Sequence, residues 1–189
     1  AQASCKITQG EFLQMQISNK PNTKSSDYFN VIGGKTAQLF GASAQSGAIV
    51  ANGSLQQVKA AFDYGYNMGL AFQIIDDVID YSSSKTKMGK NQGDDFKLGK
   101  TTLPIILAWE RSNKFEQEFF LKSLQELKQE KDDFEKCCEI LRKYSILNRC
   151  KKIANEFVNK AINALNEFSE NDYKKALIEL ANSSLSRDN

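Results

Sequence analysis

No histidine occurs in the 189 residues. The side chain most often used as general base, zinc ligand or switch near neutral pH is therefore excluded. The four cysteines, Cys5, Cys137, Cys138 and Cys150, form no CxxC pair, so a Cys/His zinc centre is excluded as well. They read as reduced cysteines that fill helix faces in an intracellular protein. Proline is scarce, with only Pro21 and Pro104, and no Val/Ile/Thr run alternates as a strand would. No stretch approaches the roughly 20 apolar residues of a membrane-spanning helix. A net charge of +2 offers no general attraction to nucleic acid or to an anionic membrane. The expectation is a cytoplasmic protein without a nucleic-acid partner.

What is present is helical periodicity along nearly the whole chain. At 41% hydrophobic and 25% charged, 189 residues suit one sizeable globular domain. The opening AQASCKITQGEFLQMQ is helix-like but has no N-cap signal ahead of it, so the chain is expected to start inside a helix, with sequence upstream. Helices are predicted near 1–18, 24–32 and 35–51, with a break or kink at Gly33-Gly34. Ser54 and Gln57 form a capping-box pattern that opens a long helix from about 55 to 81. Residues 82–99 read as a polar loop, and a helix near 101–111 carries Pro104 in its first turn. From Asn113 onward, amphipathic helices with Lys and Glu on their outer faces read as scaffold. The final SRDN reads as frayed. Residues 41–53 are rich in Gly, Ala and Ser. Such a segment either lets helices approach closely or leaves room for a long apolar ligand.

The long helix contains the chemistry. In GLAFQIIDDVIDY three carboxylates, Asp76, Asp77 and Asp80, interrupt the most apolar helix, and no other charged residue lies between Asp63 and Asp80. An α-helix turns about 100° per residue, so Asp76 and Asp80 share a face, with side chains roughly 6 Å apart. Asp77 points about 100° away. Like charges at that spacing repel, and removing them from water costs more unless something compensates. A solvated acidic patch is the plainer reading. However, Phe72, Ile74, Ile75, Val78 and Ile79 must face a core, which places the stripe at the border of an interior cavity. All-oxygen ligation favours a hard ion, and Mg²⁺ takes one or two carboxylates, waters and phosphate oxygens.

Gln73 lies three residues before Asp76, near the same face. The following loop holds Gly89-Lys90, Gly93-Asp94-Asp95 and Gly99-Lys100-Thr101-Thr102. This is either a flexible solvated loop or a set of mobile positive charges for a phosphate that carries metal. Lys35-Thr36 follows Gly33-Gly34 at a helix start, where a lysine opposes the macrodipole unless it is solvated or an anion lies nearby. Mg²⁺, lysines and an apolar cavity together point to a diphosphate with a hydrocarbon tail.

These residues resemble the trans-isoprenyl diphosphate synthases, the polyprenyl synthetase family. GLAFQIIDDVIDY is similar to its second aspartate-rich motif, and MGKNQGDDFKLGKTTLPIILA to the lysine-and-aspartate segment that follows it. GEFLQM and VIGGKTAQLFGAS resemble the preceding helices, so the match runs in order from Gly10 to Ala108. The wording is nearest the long-chain members, such as octaprenyl diphosphate synthases. The resemblance implies an all-α helical bundle around a central cavity, of which residues 1–189 form the C-terminal part of a single domain. It implies a prenyltransferase that joins isopentenyl diphosphate to an allylic diphosphate. By position, the metal set would be Asp76, Asp77, Asp80 and Asp95: Asp76 would bind Mg²⁺ directly, Asp80 and Asp95 would support it directly or through water, and Asp77, part of the motif, is less certain in role. Lys35, Lys90 and Lys100 would hold the allylic diphosphate, and Thr36 and Gln73 would lie beside the breaking C–O bond. A supply of quinone (ubiquinone) side chains and a homodimer are implied in the same way.

The first aspartate-rich motif of that family has no counterpart here. Asp132-Asp133 lies in a polar amphipathic helix and does not replace it. That motif is expected on a segment or partner that associates with this chain, and the chain alone is expected not to catalyse condensation. A non-catalytic partner subunit is the alternative, although it would have no physical need for the aspartates and lysines. A class I terpene cyclase would mix Asn, Ser or Thr with Glu in its second metal motif. A plain helical binding module would bind no Mg²⁺–diphosphate.

Overall fold

A computed structural model describes residues 2–82 and 92–186, and among these all regular structure is helical. α1 spans Gln2–Ile17, α2 Ser25–Ile32, α3 Gln38–Val50 and α4 Leu55–Ile79. α5 is Asp94–Lys97, α6 Leu103–Arg111, α7 Lys114–Phe120, α8 Asp133–Lys143, α9 Ile146–Ala164 and α10 Asp172–Ser183. None of these helices is long and apolar enough to cross a membrane.

α4 organises the rest. The Ser54 hydroxyl accepts from the Gln57 N–H at 3.2 Å, and the Gln57 side chain accepts from the Ser54 N–H at 2.9 Å. Two of the helix's orphan donors are thereby satisfied, as the capping-box pattern predicts. α4 packs most extensively against α3 and α9. Ile74, Ile75 and Val78 are fully buried, together with Leu103, Ile105 and Ile106 of α6. Pro104 sits in the first turn of α6, where no backbone donor is lost.

Within 41–53 the close approach is seen at Gly41 but not at Gly47, which has nothing within 4 Å of a Cβ position, and it is seen again at Gly69 outside that segment. A Cβ at Gly69 would lie 2.6 Å from the Ala37 Cα, and one at Gly41 would lie 2.8 Å from the Phe62 ring. Two crevices, of about 470 and 530 Å³, open elsewhere, and neither is lined by Asp76, Asp80 or Asp95. The cavity expected beside the stripe coincides with neither of them.

Three local expectations are corrected. Gly33-Gly34 does not break the chain; Gly33–Ala37 form a π-helical turn that carries α2 into α3. The glycines are needed for proximity. A Cβ at Gly33 would meet the Tyr66 hydroxyl at 2.5 Å, and Gly10 of α1 packs against the Gly34 and Lys35 backbone. Next, the predicted loop 82–99 contains the short helix α5, entered through Gly93 at φ 79. Finally, the amphipathic run after Asn113 stops being α-helical at Phe120 and passes through a π turn, Leu121–Gln125, and Leu127 at φ 53. Tertiary hydrogen bonds compensate there. Asn19 donates to the Leu124 carbonyl at 2.8 Å, and Gln129 donates to the Phe96 and Ser123 carbonyls, each at 2.9 Å.

Cys137, Cys138 and Cys150 are free and buried, as helix-face fillers should be, whereas Cys5 is exposed. Asp133 is buried at the start of α8, where it accepts from the Glu130 N–H at 2.9 Å and pairs with Lys136 at 3.0 Å. It is a structural acid.

Candidate functional site

The π turn directs two neighbouring side chains to different helices. The Lys35 ammonium donates to Gln14 Oε1 at 2.7 Å and pairs with Glu11 at 3.1 Å, both on α1. Thr36 donates to Gln73 Oε1 on α4 at 2.9 Å. An ammonium has three hydrogens. The Gln14 hydrogen bond and the Glu11 ion pair tether the ammonium to α1.

From Gln73 the polar chain continues inward. Its Nε2 donates to Asp77 Oδ1 at 3.0 Å, and the Tyr28 hydroxyl donates to Asp77 Oδ2 at 2.6 Å. Asp77 is 4% exposed. Burial pushes its carboxyl up to about 7, against the opposing pull of the Tyr28 and Gln73 hydrogen bonds, while Asp95 and Asp76 push the same way as burial. Burial also raises the Tyr28 phenol, helped by the Asp77 charge.

A stability consequence follows from the raised carboxyl. A group with a folded pKa near 7 and an ordinary value of 3.8 binds more protons folded than unfolded between those values. Its contribution is fully present below about pH 4 and is lost as pH rises through about 7. Wild type is therefore expected to lose stability relative to Asp77→Asn across that window. Urea titrations of both proteins at several pH values measure the difference, and a flat difference would refute it.

Asp76 and Asp80 lie beside Asp77 on α4 in less enclosed positions. Both are half-buried, whereas Asp77 is enclosed. Asp80 Oδ2 accepts from the Asp95 N–H at 3.1 Å, and the Asp80 carbonyl accepts from the Gly93 N–H at 3.1 Å. Burial, then the nearby Asp95 charge, push the Asp80 carboxyl up to about 6. Asp95 Oδ1 pairs with the Lys100 ammonium at 2.6 Å. Burial acts to lower the Lys100 pKa, but the Asp95 hydrogen bond and charge outweigh it and hold it above the ordinary value.

The structure thus assembles two groups along α4. One is Thr36, Gln73 and Asp77; the other is Asp80, Asp95 and Lys100. Lys35 is held apart, against α1. Lys90 lies outside the described residues. Sequence reasoning missed Tyr28, Glu11 and Gln14. Tyr28 had a faint signal, since a tyrosine beside Val31 and Ile32 on a buried face needs a partner for its hydroxyl. Glu11 and Gln14 both lie within GEFLQ, three apart on one face of α1.

The donors suit Mg²⁺. Among the described residues, no three of His, Cys, Asp and Glu converge into a preformed metal cage. Zinc would want such a cage, whereas Mg²⁺ uses one or two carboxylates and completes its shell with water and phosphate. The half-buried Asp80, with Asp95 beside it, is a concentration of negative charge that a cation relieves.

Comparison with known proteins bears on the family and the fold. A family model described as Polyprenyl synthetase matches residues 1–141. The chain is 37% identical over 187 residues to an octaprenyl diphosphate synthase of Haemophilus influenzae, covering 99% of this chain and 56% of that protein. Among solved structures, it is similar to a polyprenyl synthase from Caulobacter crescentus complexed with calcium and isoprenyl diphosphate. There the TM-score is 0.95 at 39% identity, over 100% of this chain and 58% of that one. A decaprenyl diphosphate synthase from Rhodobacter capsulatus gives a TM-score of 0.94 at 34% identity, over 100% and 58%. The chain spans a little over half the length of these relatives.

Proposed function

The chain belongs to the polyprenyl synthetase family, and from that premise we propose that it is the C-terminal part of a long-chain trans-prenyltransferase domain. The reaction joins isopentenyl diphosphate to an allylic diphosphate. The observation that carries this reading is the placement on one helix of an acidic group for metal and a polar chain beside it, with lysines at either end.

Asp76 and Asp80 hold Mg²⁺, supported by Asp95. When bound, the ion supplies positive charge that stabilises diphosphate as it leaves. Lys100 exchanges its contact with Asp95 for a phosphate oxygen. Lys35, tethered by Glu11 and Gln14, gives a hydrogen to another. Lys90 belongs to the same lysine set on sequence grounds alone. Thr36 and Gln73 sit beside the breaking C–O bond. With the Thr36 proton directed to Gln73, the hydroxyl lone pairs face the electron-poor carbon.

The opposing acidic wall lies on a segment or partner beyond these 189 residues, with a homodimer as the assembled form. The exposed apolar side chains support such an association. Phe12 and Met15 on α1 are 63% and 72% exposed, and Val50 of α3 is 82% exposed.

The test is calorimetry and turnover on the purified chain. Inorganic diphosphate is expected to bind only when Mg²⁺ is present. An assay with Mg²⁺, an allylic diphosphate and labelled isopentenyl diphosphate is expected to show no condensation. No Mg²⁺-dependent binding would refute the site, and turnover by the chain alone would refute the missing wall.

A further inference from the structure

Asp77 is the middle acid of the aspartate-rich segment, and in this arrangement each of its oxygens already accepts a hydrogen bond. Tyr28 donates to one at 2.6 Å and Gln73 to the other at 3.0 Å, in a buried setting. We infer that Asp77 is a positioning residue that sets the direction of the Gln73–Thr36 hydrogen-bond chain. The inference rests on the function proposed above and deepens it.

The argument is one of donors and acceptors. An ionised carboxylate only accepts, so in that state it admits only the NH₂ end of the Gln73 amide. The Gln73 oxygen is then turned toward Thr36, whose hydroxyl must donate inward, as the 2.9 Å contact shows. The Thr36 lone pairs are left facing out of the chain. With the amide reversed, its oxygen would meet the Asp77 carboxylate and its NH₂ would meet Thr36. The hydroxyl would then accept inward and present a proton outward. A developing positive charge is favoured by lone pairs and opposed by that proton. The buried acid thus selects the polarity of an atom that it does not touch. Tyr28, anchored on α2, holds the acid in place.

Asp77→Asn distinguishes this role from ligation. The Tyr28 hydroxyl would donate to the new amide oxygen, and the new NH₂ would face Gln73 and reverse it. In ¹⁵N-glutamine-labelled protein, the Gln73 side-chain amide signal, assigned by its loss in Gln73→Met, is expected to move in Asp77→Asn. Mg²⁺-dependent binding of inorganic diphosphate is expected to fall by no more than about tenfold, because a nearby charge is lost but no ligand is. A drop of about a hundredfold, the size expected for the ligand Asp76, would overturn the inference. An unmoved Gln73 signal would overturn it too. Should Asp77→Asn not fold, Tyr28→Phe answers the same question while keeping the carboxylate. Unchanged Mg²⁺ dependence supports positioning, and a several-fold change overturns it by showing that the freed oxygen reaches the metal. If wild type binds no Mg²⁺–diphosphate, the proposed function fails, and the Gln73 signal alone still decides whether Asp77 directs the amide.

Discussion

Asp76→Asn is expected to weaken Mg²⁺-dependent diphosphate binding about a hundredfold, or ~3 kcal/mol. Asp76 and Asp80 share the half-buried side of α4, and the Asp95 N–H fixes Asp80 there at 3.1 Å. Two unit charges about 4 Å apart interact by roughly 4 kcal/mol at an effective dielectric near 20, so the loss of one carboxylate from a divalent site is a large fraction of the binding energy. The amide keeps the volume and the shape, so thermal stability should change little. Asp132→Asn is the control, because Asp132 is the exposed N-cap residue of α8, beside the buried Asp133. Calorimetric titration of both variants checks the expectation, and equal losses would show that the effect is general charge.

Gly65→Ala is expected to destabilise the chain by about 2–3 kcal/mol, although alanine is the better helix former by about 1 kcal/mol. A Cβ at Gly65 would sit 2.8 Å from the Phe40 carbonyl carbon. That atom is backbone and cannot rotate away, so α3 and α4 would have to separate. One turn further along α4, Gly69 meets Ala37, the last residue of the π turn that carries Lys35 and Thr36. Separation would therefore stretch the 2.9 Å contact between Thr36 and Gln73 as well. Gly47→Ala is the internal comparison. Nothing lies within 4 Å of its Cβ position, and it should stabilise by roughly 0.5–1 kcal/mol through helix propensity. Urea unfolding followed by circular dichroism gives both numbers. Shifts of the same sign would mean that the helix crossing is looser than this geometry.

The acidic stripe was legible because helical period alone fixes which residues share a face. Asp76 and Asp80 lie four apart, about 40° from each other around the axis, whereas Asp77 is about 100° from Asp76. The capping box at Ser54 was legible for a similar reason, since its partner is three residues away. Tyr28 was not, because its acid lies 49 positions along the chain. The π turn was hidden more completely. Gly33-Gly34 read locally as a break or kink, and only the approach of Gly10 on α1 to the Gly34 and Lys35 backbone shows that these glycines permit contact.

The sequence by itself determined the all-helical class, the long apolar helix, the face on which Asp76 and Asp80 lie and the exclusion of Cys/His metal chemistry. These follow from periodicity and from which donor atoms exist, both of which act over a few residues. Only the tertiary structure decided that Asp77 is enclosed by Tyr28 and Gln73, that Lys35 rests on Glu11 and Gln14, and that Asp95 and Lys100 close on Asp80. Each of these depends on where separate elements cross, set by packing around glycines and buried side chains rather than by any local repeat.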